Sequence, residues 1–317
     1  MDLKASRVLV TPTSYGKYNP ELKTKLETQV GEVIYNTTGK PLSSSLVASL
    51  LPGIDGYIAG LDFIDREALE SADSLKIIVR YGVGIDRVDL STAKEKGIIV
   101  SNTPGANAIS VAELALGLIL MLARQISTAQ SLLQKGEWPR LLGVSIQKKT
   151  VGIIGLGAIG KQLAVRLAAF KCKIIAYEPY PDAAFLQKNE VTLVDLDTLI
   201  SSSDFISLHV PVLPNTRKMV NDAFIAGMKE GSFLINTSRG EILDESALIK
   251  GLESGKILGA ALDAFEKEPP DSDNPLLSNS KVICTPHLGA QTDGATNTMG
   301  EMALNECLRV CLLYTSP

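Results

Sequence analysis

The sequence has few cysteines and almost no excess of charge of either sign, and both shortages argue against whole classes of protein. Among its 317 residues, 31 Lys and Arg stand against 35 Asp and Glu, a formal net charge of −4. A nucleic-acid partner would need a basic face to neutralise phosphates, so none is expected. The cysteines lack CxxC spacing, which argues against a disulfide framework or a metal site and favours a reducing, cytoplasmic setting. They are Cys172, Cys284, Cys307 and Cys311.

Long apolar runs are also missing. The most apolar stretch, Leu114–Ala123, has ten residues, whereas a helix that spans a bilayer needs about 20. We therefore predict a buried helix there, at a subunit contact, and no membrane partner. The first residues contain no apolar signal core before the strand-like Val8–Val10, so no export segment is expected.

What the sequence does contain is an alternation of short β-branched or apolar runs with helix-like segments, which is typical of parallel sheets covered by helices. One long helix is predicted at 110–131, and the length fits two α/β units. The linkers are expected near 102–105 and 286–289, with a final helix from about Gly294 that packs on the first unit. Strands are predicted at 7–10, 32–35, 56–59, 76–79 and 98–100, then at 150–155, 173–177, 205–209, 232–237, 259–264 and 281–284.

The strongest local motif is a glycine-rich loop between a predicted strand and a predicted helix, the setting in which GxGxxG binds a dinucleotide. The first glycine permits the turn, the second admits the pyrophosphate and the third lets helix and strand pack closely. The next strand ends at Glu178, eighteen residues after the last glycine. Its carboxylate would accept hydrogen bonds from ribose hydroxyls and repel the extra phosphate of NADP, so NAD is the predicted cofactor. The three glycines are Gly155, Gly157 and Gly160.

Four side chains that follow predicted strands are candidates for chemistry. Only two histidines are present. His287 is the candidate acid or base because an imidazole titrates near neutrality, whereas His209 alone is more consistent with a structural role or with packing beside an adenine. Arg239 has the planar fork that suits a carboxylate. Glu268 alone reads as a solvated loop acid, and spacing does not join these residues into one site.

Several segments together resemble the D-2-hydroxyacid dehydrogenase family, and its phosphoglycerate dehydrogenase branch most closely. They occur in the family's order over roughly residues 7 to 310. The matching segments are Arg80–Asp86, Asn102–Asn107, Ser110–Glu113, the glycine-rich loop, His209–Thr216, Asn236–Gly240, Ala261–Phe265, Glu268–Pro269 and Pro286–Ala290.

The resemblance implies two Rossmann-like, doubly wound parallel-sheet domains, of which the substrate-binding domain is discontinuous in sequence. The flavodoxin-like substrate-binding domain would comprise residues 1–104 and 290–317, and the NAD-binding Rossmann domain residues 105–289. Family members are commonly dimers, so a homodimer through the 110–124 helix region is expected.

The resemblance also implies roles for individual residues. His287 would be the acid/base, Glu268 the partner that favours its charged form, and Arg239 the clamp on the substrate. Substrate binding would involve Arg80, Asn107, Arg239 and the backbone N–H groups of Val83 and Gly84. The expected cofactor-binding residues are Gly155, Gly157, Ala158, Ile159, Gly160, Glu178, His209, Val210, Pro211, Thr216, Thr237, Ser238, Arg239, Asp263, His287 and Gly289.

The implied function is hydride transfer between NAD(H) and a small 2-hydroxy or 2-keto acid, with D-3-phosphoglycerate dehydrogenase, an enzyme of serine biosynthesis, as the first candidate. Arg80 matches one phosphate-binding arginine of that branch, but Ala59 stands where a second is common. Hydroxypyruvate or glyoxylate reduction is therefore the alternative. A non-catalytic NAD-sensing protein is a distant third, which would bind NADH without turning it over.

The end of the chain carries a separate expectation. Cys311–Pro317 can be encoded by a sequence that resembles the transposon end used in sequencing adapters. We expect these residues to be an assembly artefact and the natural chain to continue.

Overall fold

The structure is a computed structural model in which residues 3–313 are described. The described chain forms strands β1–β12 and α-helices α1–α13, numbered along the sequence. The strands are β1 Arg7–Val10, β2 Glu32–Tyr35, β3 Gly56–Ala59, β4 Ile77–Arg80, β5 Ile99–Ser101, β6 Thr150–Ile154, β7 Lys173–Tyr177, β8 Thr192–Leu193, β9 Phe205–Leu208, β10 Ser232–Asn236, β11 Ile257–Leu262 and β12 Val282–Cys284. The helices are α1 Glu21–Gln29, α2 Ser44–Leu50, α3 Arg66–Glu70, α4 Leu90–Glu95, α5 Ala108–Ala123, α6 Ile126–Gln134, α7 Ala158–Ala169, α8 Ala183–Lys188, α9 Leu196–Ser202, α10 Asp222–Gly227, α11 Glu245–Glu253, α12 Pro275–Ser278 and α13 Asp293–Leu313.

The chain divides into two compact units. Unit 1 comprises Met1–Asn107 and Ala290–Pro317, and unit 2 comprises Ala108–Gly289. The first boundary therefore lies after residue 107, where the sequence analysis put it after residue 104. Each unit contains one parallel sheet covered by helices, which confirms the predicted α/β fold class.

Unit 1 has a five-stranded parallel sheet in the order β2-β1-β3-β4-β5. Because side chains alternate along a strand, Val8 and Val10 enter the core beneath α13, while Leu9 enters the core on the opposite face. Helix α13 packs against β3 and β4, as the sequence analysis predicted. Its approach is close, since a Cβ on Gly56 would lie 2.6 Å from Cys307 Sγ.

Unit 2 has a seven-stranded parallel sheet in the order β12-β11-β10-β9-β6-β7-β8. Apolar residues of α5 and α7 cover one face, and those of α9 to α12 cover the other. The strand order reverses between β6 and β9, which are neighbours in the sheet. Ligands bind at such a switch point in open α/β sheets, outside the carboxyl ends of the strands.

The prediction of a single helix at 110–131 is wrong. The chain instead forms α5 and α6, because Gln125 adopts a left-handed conformation with φ of 50° and an α-helix does not continue through it. Most of α5 is buried in unit 2, whereas no residue of α6 is buried.

Within the described residues, no single helix is long and apolar enough to cross a membrane; the pair α5 and α6 passes by length and composition only when taken together, with a bend of 61°. Near the end of the chain, Cys311 is buried in the core of unit 1. Tyr314–Pro317 lie outside the described residues, so the proposed artefact stays a prediction.

Candidate active site

The glycine-rich loop connects β6 to α7 at the switch point of the unit 2 sheet. Gly155 has φ of 94°, a left-handed conformation that only glycine adopts without strain. A Cβ on Gly160 would lie 2.1 Å from the Gly155 carbonyl oxygen, so helix and loop pack without room for a side chain. The sequence therefore needs glycine at both positions for reasons of backbone geometry.

Gly157 differs from the other two glycines, and its surroundings fit a dinucleotide. A Cβ placed there would meet nothing within 4 Å, so open space lies over the loop. Gly157 is the N-cap of α7 and supplies no side-chain cap, which leaves the N–H groups of the first helical turn, including Ala158 and Ile159, to bind an anion. This helix start fits the pyrophosphate of NAD.

Glu178 is held beside the loop. Its Oε2 accepts a hydrogen bond of 2.8 Å from Leu156 N, and its Oε1 accepts one of 2.9 Å from Tyr180 N. A carboxylate has about four lone-pair sites, so ribose hydroxyls can still donate to it. The structure therefore places a carboxylate where the predicted preference for NAD over NADP requires one.

The Gly157→Ala substitution is expected to weaken cofactor binding with little effect on the stability of the fold. Because the position is open, we expect the free energy of unfolding to fall by less than about 1 kcal/mol, while the dissociation constant for NADH rises at least about tenfold, or about 1.4 kcal/mol. NADH fluorescence titration and thermal denaturation measure the two effects. Gly160→Ala is the control for a purely steric change and should destabilise the protein.

His209 lies against the glycine-rich loop at the end of β9. A Cβ on Gly155 would meet the His209 carbonyl oxygen at 2.6 Å and Val210 Cγ1 at 2.9 Å. The His209 Nε2 and Ser207 Oγ atoms are 2.9 Å apart, and the buried Nδ1 has no hydrogen-bond partner among the described residues. Burial lowers the pKa of His209 to about 4, so the ring is neutral at neutral pH and suits cofactor binding better than proton transfer.

Three other predicted cofactor residues carry hydroxyl groups, which differ in whether they bind another part of the protein. Thr237 Oγ1 is buried and has no partner in the described structure, which leaves it for a ligand. The Thr216 hydroxyl donates to the Pro211 carbonyl at 2.6 Å, and the Ser238 hydroxyl donates to Asn236 Oδ1 at 2.8 Å. The last two hydroxyls therefore shape the loops that follow β9 and β10.

His287 and Glu268, which lie nineteen residues apart in the chain, form a direct contact. His287 Nδ1 is 2.9 Å from Glu268 Oε1 and 3.1 Å from Oε2. The two side chains are 26% and 17% exposed, so the pair lies at the surface of unit 2 without being fully solvated. Because Nδ1 faces the carboxylate, Nε2 is the nitrogen that can exchange a proton with a substrate.

Asp263 holds the loop that carries His287. Its Oδ1 accepts hydrogen bonds from Thr285 Oγ1 at 2.6 Å and Leu288 N at 2.7 Å, and its Oδ2 accepts one from Gly289 N at 2.8 Å. Burial raises the pKa of Asp263, although these bonds oppose the shift. These three partners of the carboxylate all lie in this loop; the predicted contact with the cofactor stays a prediction.

Arg239 follows β10, the strand beside β11. Its carbonyl oxygen accepts from Asn236 Nδ2 at 2.9 Å, and its Nη1 donates to the Ser238 carbonyl at 2.9 Å. A Cβ on Gly240 would lie 1.9 Å from the carbonyl carbon of Phe265. The backbone after Arg239 therefore packs directly on the backbone that leads to Glu268.

The predicted substrate loop lies in unit 1 and is described by itself. The Val83 carbonyl accepts from Asn102 Nδ2 at 2.7 Å and the Gly84 carbonyl accepts from Arg80 Nε at 3.0 Å. The N–H groups of Val83 and Gly84 have no partner among the described residues. Such N–H groups suit a carboxylate.

Arg80 itself is a buried residue in unit 1. It is 2% exposed, and its Nη1 donates to the Ala59 carbonyl at 2.7 Å. The guanidinium thus ties the substrate loop to the end of β3. Asn107, the other predicted substrate residue, has a buried Oδ1 without a partner among the described residues.

Sequence reasoning missed three residues that shape this site. Asn236, Gly240 and Glu245 hold the loops of Arg239 and Glu268 through the contacts described here and below. A signal was present for the first two, since they flank Arg239 in the segment Asn236–Gly240. Nothing in the sequence pairs Glu245 with a loop that begins about twenty residues later.

Comparisons with known proteins agree with this geometry. Residues 116–289 match the model of the D-isomer specific 2-hydroxyacid dehydrogenase, NAD binding domain. The chain is 46% identical to the D-3-phosphoglycerate dehydrogenase of Methanocaldococcus jannaschii over 250 residues, 78% of this chain and 48% of that one. It is 42% identical to the hydroxypyruvate reductase of Thermotoga maritima over 294 residues, 90% of this chain and 95% of that one.

A solved structure extends the agreement to the fold. The D-lactate dehydrogenase of Aquifex aeolicus, determined with NAD and lactic acid, matches with a TM-score of 0.83 at 29% identity, over 94% of this chain and 93% of that one. Fold and site together are those of an NAD-binding protein of the α/β class. The chain belongs to the D-isomer specific 2-hydroxyacid dehydrogenase family. It spans about half the length of the D-3-phosphoglycerate dehydrogenases that it matches (48% and 45% of two of them).

These findings confirm the resemblance, the oxidoreductase class and the NAD cofactor at the level of the family. They do not distinguish among substrates, because the relatives carry different substrate names.

Proposed function

We propose that the protein is an NAD-dependent D-2-hydroxyacid dehydrogenase that interconverts a small 2-keto acid and its 2-hydroxy acid. The observation that carries the proposal is the His287–Glu268 pair, at 2.9 Å, in the same unit as the glycine-rich loop. A proton donor, a cofactor loop and an arginine all follow strands of one parallel sheet. Binding sites in such sheets lie at the carboxyl ends of the strands.

The cofactor, when bound, supplies the hydride for the carbonyl carbon. Charge then grows on the carbonyl oxygen, and the His287 Nε2–H delivers a proton to it, help that is worth roughly 10²- to 10⁴-fold. Glu268 holds the ring through Nδ1, which leaves Nε2 as the nitrogen for proton transfer. Arg239 binds and orients the substrate carboxylate, since its planar fork matches that group.

Two substrate classes remain as proposals, and different observations favour them. The phosphorylated acid of phosphoglycerate dehydrogenase is supported by 46% identity to a relative of that name. The unphosphorylated acid, hydroxypyruvate or glyoxylate, is supported by the position of Arg80, which is 2% exposed and bonded to two carbonyl groups, and by uncharged Ala59. A phosphate could reach Arg80 only through a side chain that is 2% exposed, and two of its five N–H donors already bind carbonyl groups, so the geometry favours the unphosphorylated acid.

The test is NADH oxidation by the purified protein, with phosphohydroxypyruvate and hydroxypyruvate compared at equal concentrations. We expect a higher kcat/KM for hydroxypyruvate. A clear preference for the phosphorylated acid would instead support the serine-biosynthesis assignment. NADH binding without turnover of any keto acid would favour the NAD-sensing protein and overturn the dehydrogenase proposal.

We also propose a homodimer, with a contact that differs from the one expected from sequence. Nine residues of α5 are buried within unit 2, whereas no residue of α6 is buried, so we place the contact on exposed apolar side chains of α6 and the segment after it. They are Ile126, Leu133, Trp138 and Leu142, of which Trp138 and Leu142 are 84% and 92% exposed.

A cytoplasmic location and the absence of nucleic-acid and membrane partners stay predictions from the sequence.

Replacing Trp138 and Leu142 together by serine is expected to convert the dimer into a monomer, because the change removes two large exposed apolar side chains. Sedimentation velocity measures the mass directly. The matched control is Tyr180→Ser, which removes a side chain that is 90% exposed elsewhere in unit 2. An unchanged dimer in the double variant would refute this contact surface.

A further inference from the structure

The segment that carries Glu268 is tied at both ends to one carboxylate. This segment, residues 263–274, connects β11 to α12. Glu245 Oε1 accepts a hydrogen bond of 2.9 Å from Glu266 N near the start of the segment, and Glu245 Oε2 accepts one of 2.8 Å from Asn274 Nδ2 at its end. The two oxygens of Glu245 therefore bracket the segment on either side of Glu268.

The contact between Glu245 and Glu266 is reciprocal. The Glu245 N–H donates to Glu266 Oε1 at 3.2 Å. Glu245 is the first residue of α11, where a backbone N–H has no partner within the helix. Lys218 Nζ lies 3.3 Å from the same Glu266 oxygen, which offsets part of the repulsion between the two acids. The segment is thus fixed to a helix end by paired hydrogen bonds.

The contact between Glu245 and Glu266 is connected to the proposed reacting groups through the backbone of the segment. Glu266 lies two residues before Glu268, whose Oε1 also accepts from Phe265 N at 3.3 Å. Glu268 in turn contacts His287 Nδ1. On the other side, Gly240 packs on the carbonyl of Phe265, so the Arg239 loop rests on the same backbone. A shift of this backbone would move both the acid/base pair and the substrate clamp.

We propose that Glu245 is a positioning residue of the active site, which holds the Glu268 segment at both ends and thereby sets the place of the His287–Glu268 pair. The hydrogen bonds of Glu245 described above go to Glu266 and Asn274, so it acts through the segment and not as a reacting group. The inference rests on the proposed dehydrogenase function and adds to it a residue outside the reacting groups.

The first test is kinetic. Glu245→Ala removes both hydrogen bonds to the segment, and we expect kcat for keto-acid reduction to fall about 10- to 100-fold, because small misplacements of reacting groups cost up to about 10²-fold. The dissociation constant for NADH should stay within about twofold, since the glycine-rich loop is not touched. Glu245→Gln keeps one acceptor oxygen and should lie between the alanine variant and the wild type.

A matched control lies on the same helix. Glu253, the last residue of α11, is exposed and has no hydrogen-bond or ion-pair partner among the described residues. Glu253→Ala should retain wild-type kcat. Thermal denaturation of all variants identifies any loss of activity that comes from unfolding alone.

The second test reads the His287 side chain without turnover. The chain has only two histidines, so the ¹H–¹³C spectrum of imidazole groups labelled at Cε1 shows two signals, and His287→Gln identifies the one from His287. Glu245→Ala should shift the His287 signal and leave that of His209 in place. An unchanged His287 signal, or a wild-type kcat in Glu245→Ala, overturns the proposal. Wild-type protein that is inactive with every keto acid defeats the proposed function instead, and the imidazole signal still decides the role of Glu245.

Discussion

Replacing His287 by alanine is expected to reduce turnover of the preferred keto acid by roughly 10²- to 10⁴-fold, the range of a lost general acid. The dissociation constant for NADH should change little, because the cofactor contacts proposed for the glycine-rich loop and Glu178 do not depend on this side chain. Steady-state NADH oxidation and NADH fluorescence titration measure the two quantities. Near-normal turnover in the variant would refute the assignment of His287 as the acid.

The backbone at this position calls for a second variant. His287 has φ of 54°, a conformation that asparagine also tolerates better than most residues. His287→Asn removes the titratable group with little change in backbone preference, so it should lose as much activity as the alanine variant. A large difference between the two would mean that loop conformation, and not proton transfer, accounts for the loss.

Gly240→Ala is expected to have the largest effect on stability. The added Cβ would lie 1.9 Å from the Phe265 carbonyl carbon, 2.0 Å from its oxygen and 2.4 Å from Glu266 N. These are backbone atoms, which cannot rotate away as a side chain can, so two loops must separate. We expect the free energy of unfolding to fall by about 3 kcal/mol, with a loss of kcat because the Arg239 and Glu268 loops move apart. Denaturant unfolding and NADH oxidation measure these effects.

Gly117→Ala is the matched control for this substitution. Gly117 lies within α5 in the same unit, and a Cβ there would meet nothing within 4 Å. Because alanine is about 1 kcal/mol more favourable than glycine inside a helix, the variant should be at least as stable as the wild type. Equal stability of Gly240→Ala and Gly117→Ala would contradict the close packing of the two loops.

The break in the predicted helix at 110–131 shows a limit of periodicity. The apolar pattern continues past Arg124, but Gln125 turns left-handed and α6 leaves at an angle of 61°. Gln125 donates through Nε2 to the Leu142 carbonyl at 2.8 Å, a contact that the local pattern does not reveal. The short edge strand β8, Thr192–Leu193, was missed because two residues carry no alternation.

The sequence by itself determined the parallel α/β class and the glycine-rich loop, and it named the candidates for the reacting groups. Alternating apolar runs specify strands, and β1, β2, β3 and β7 have the predicted bounds. The glycine pattern needs no distant partner, because it encodes a local turn between β6 and α7. His287, Arg239 and Glu268 could be named because each follows a strand in a family segment.

Tertiary structure alone decided how those groups are held and which charges are available. The His287–Glu268 contact joins residues nineteen positions apart, and the bonds from Glu245 to Glu266 and Asn274 span twenty-one and twenty-nine positions. Arg80 was expected from the sequence to bind the substrate, and the structure shows that it is buried and bonded to carbonyl groups. The physical reason is common to all three: hydrogen bonds between loops depend on how strands are ordered in the sheet, and local sequence patterns contain no information on that order.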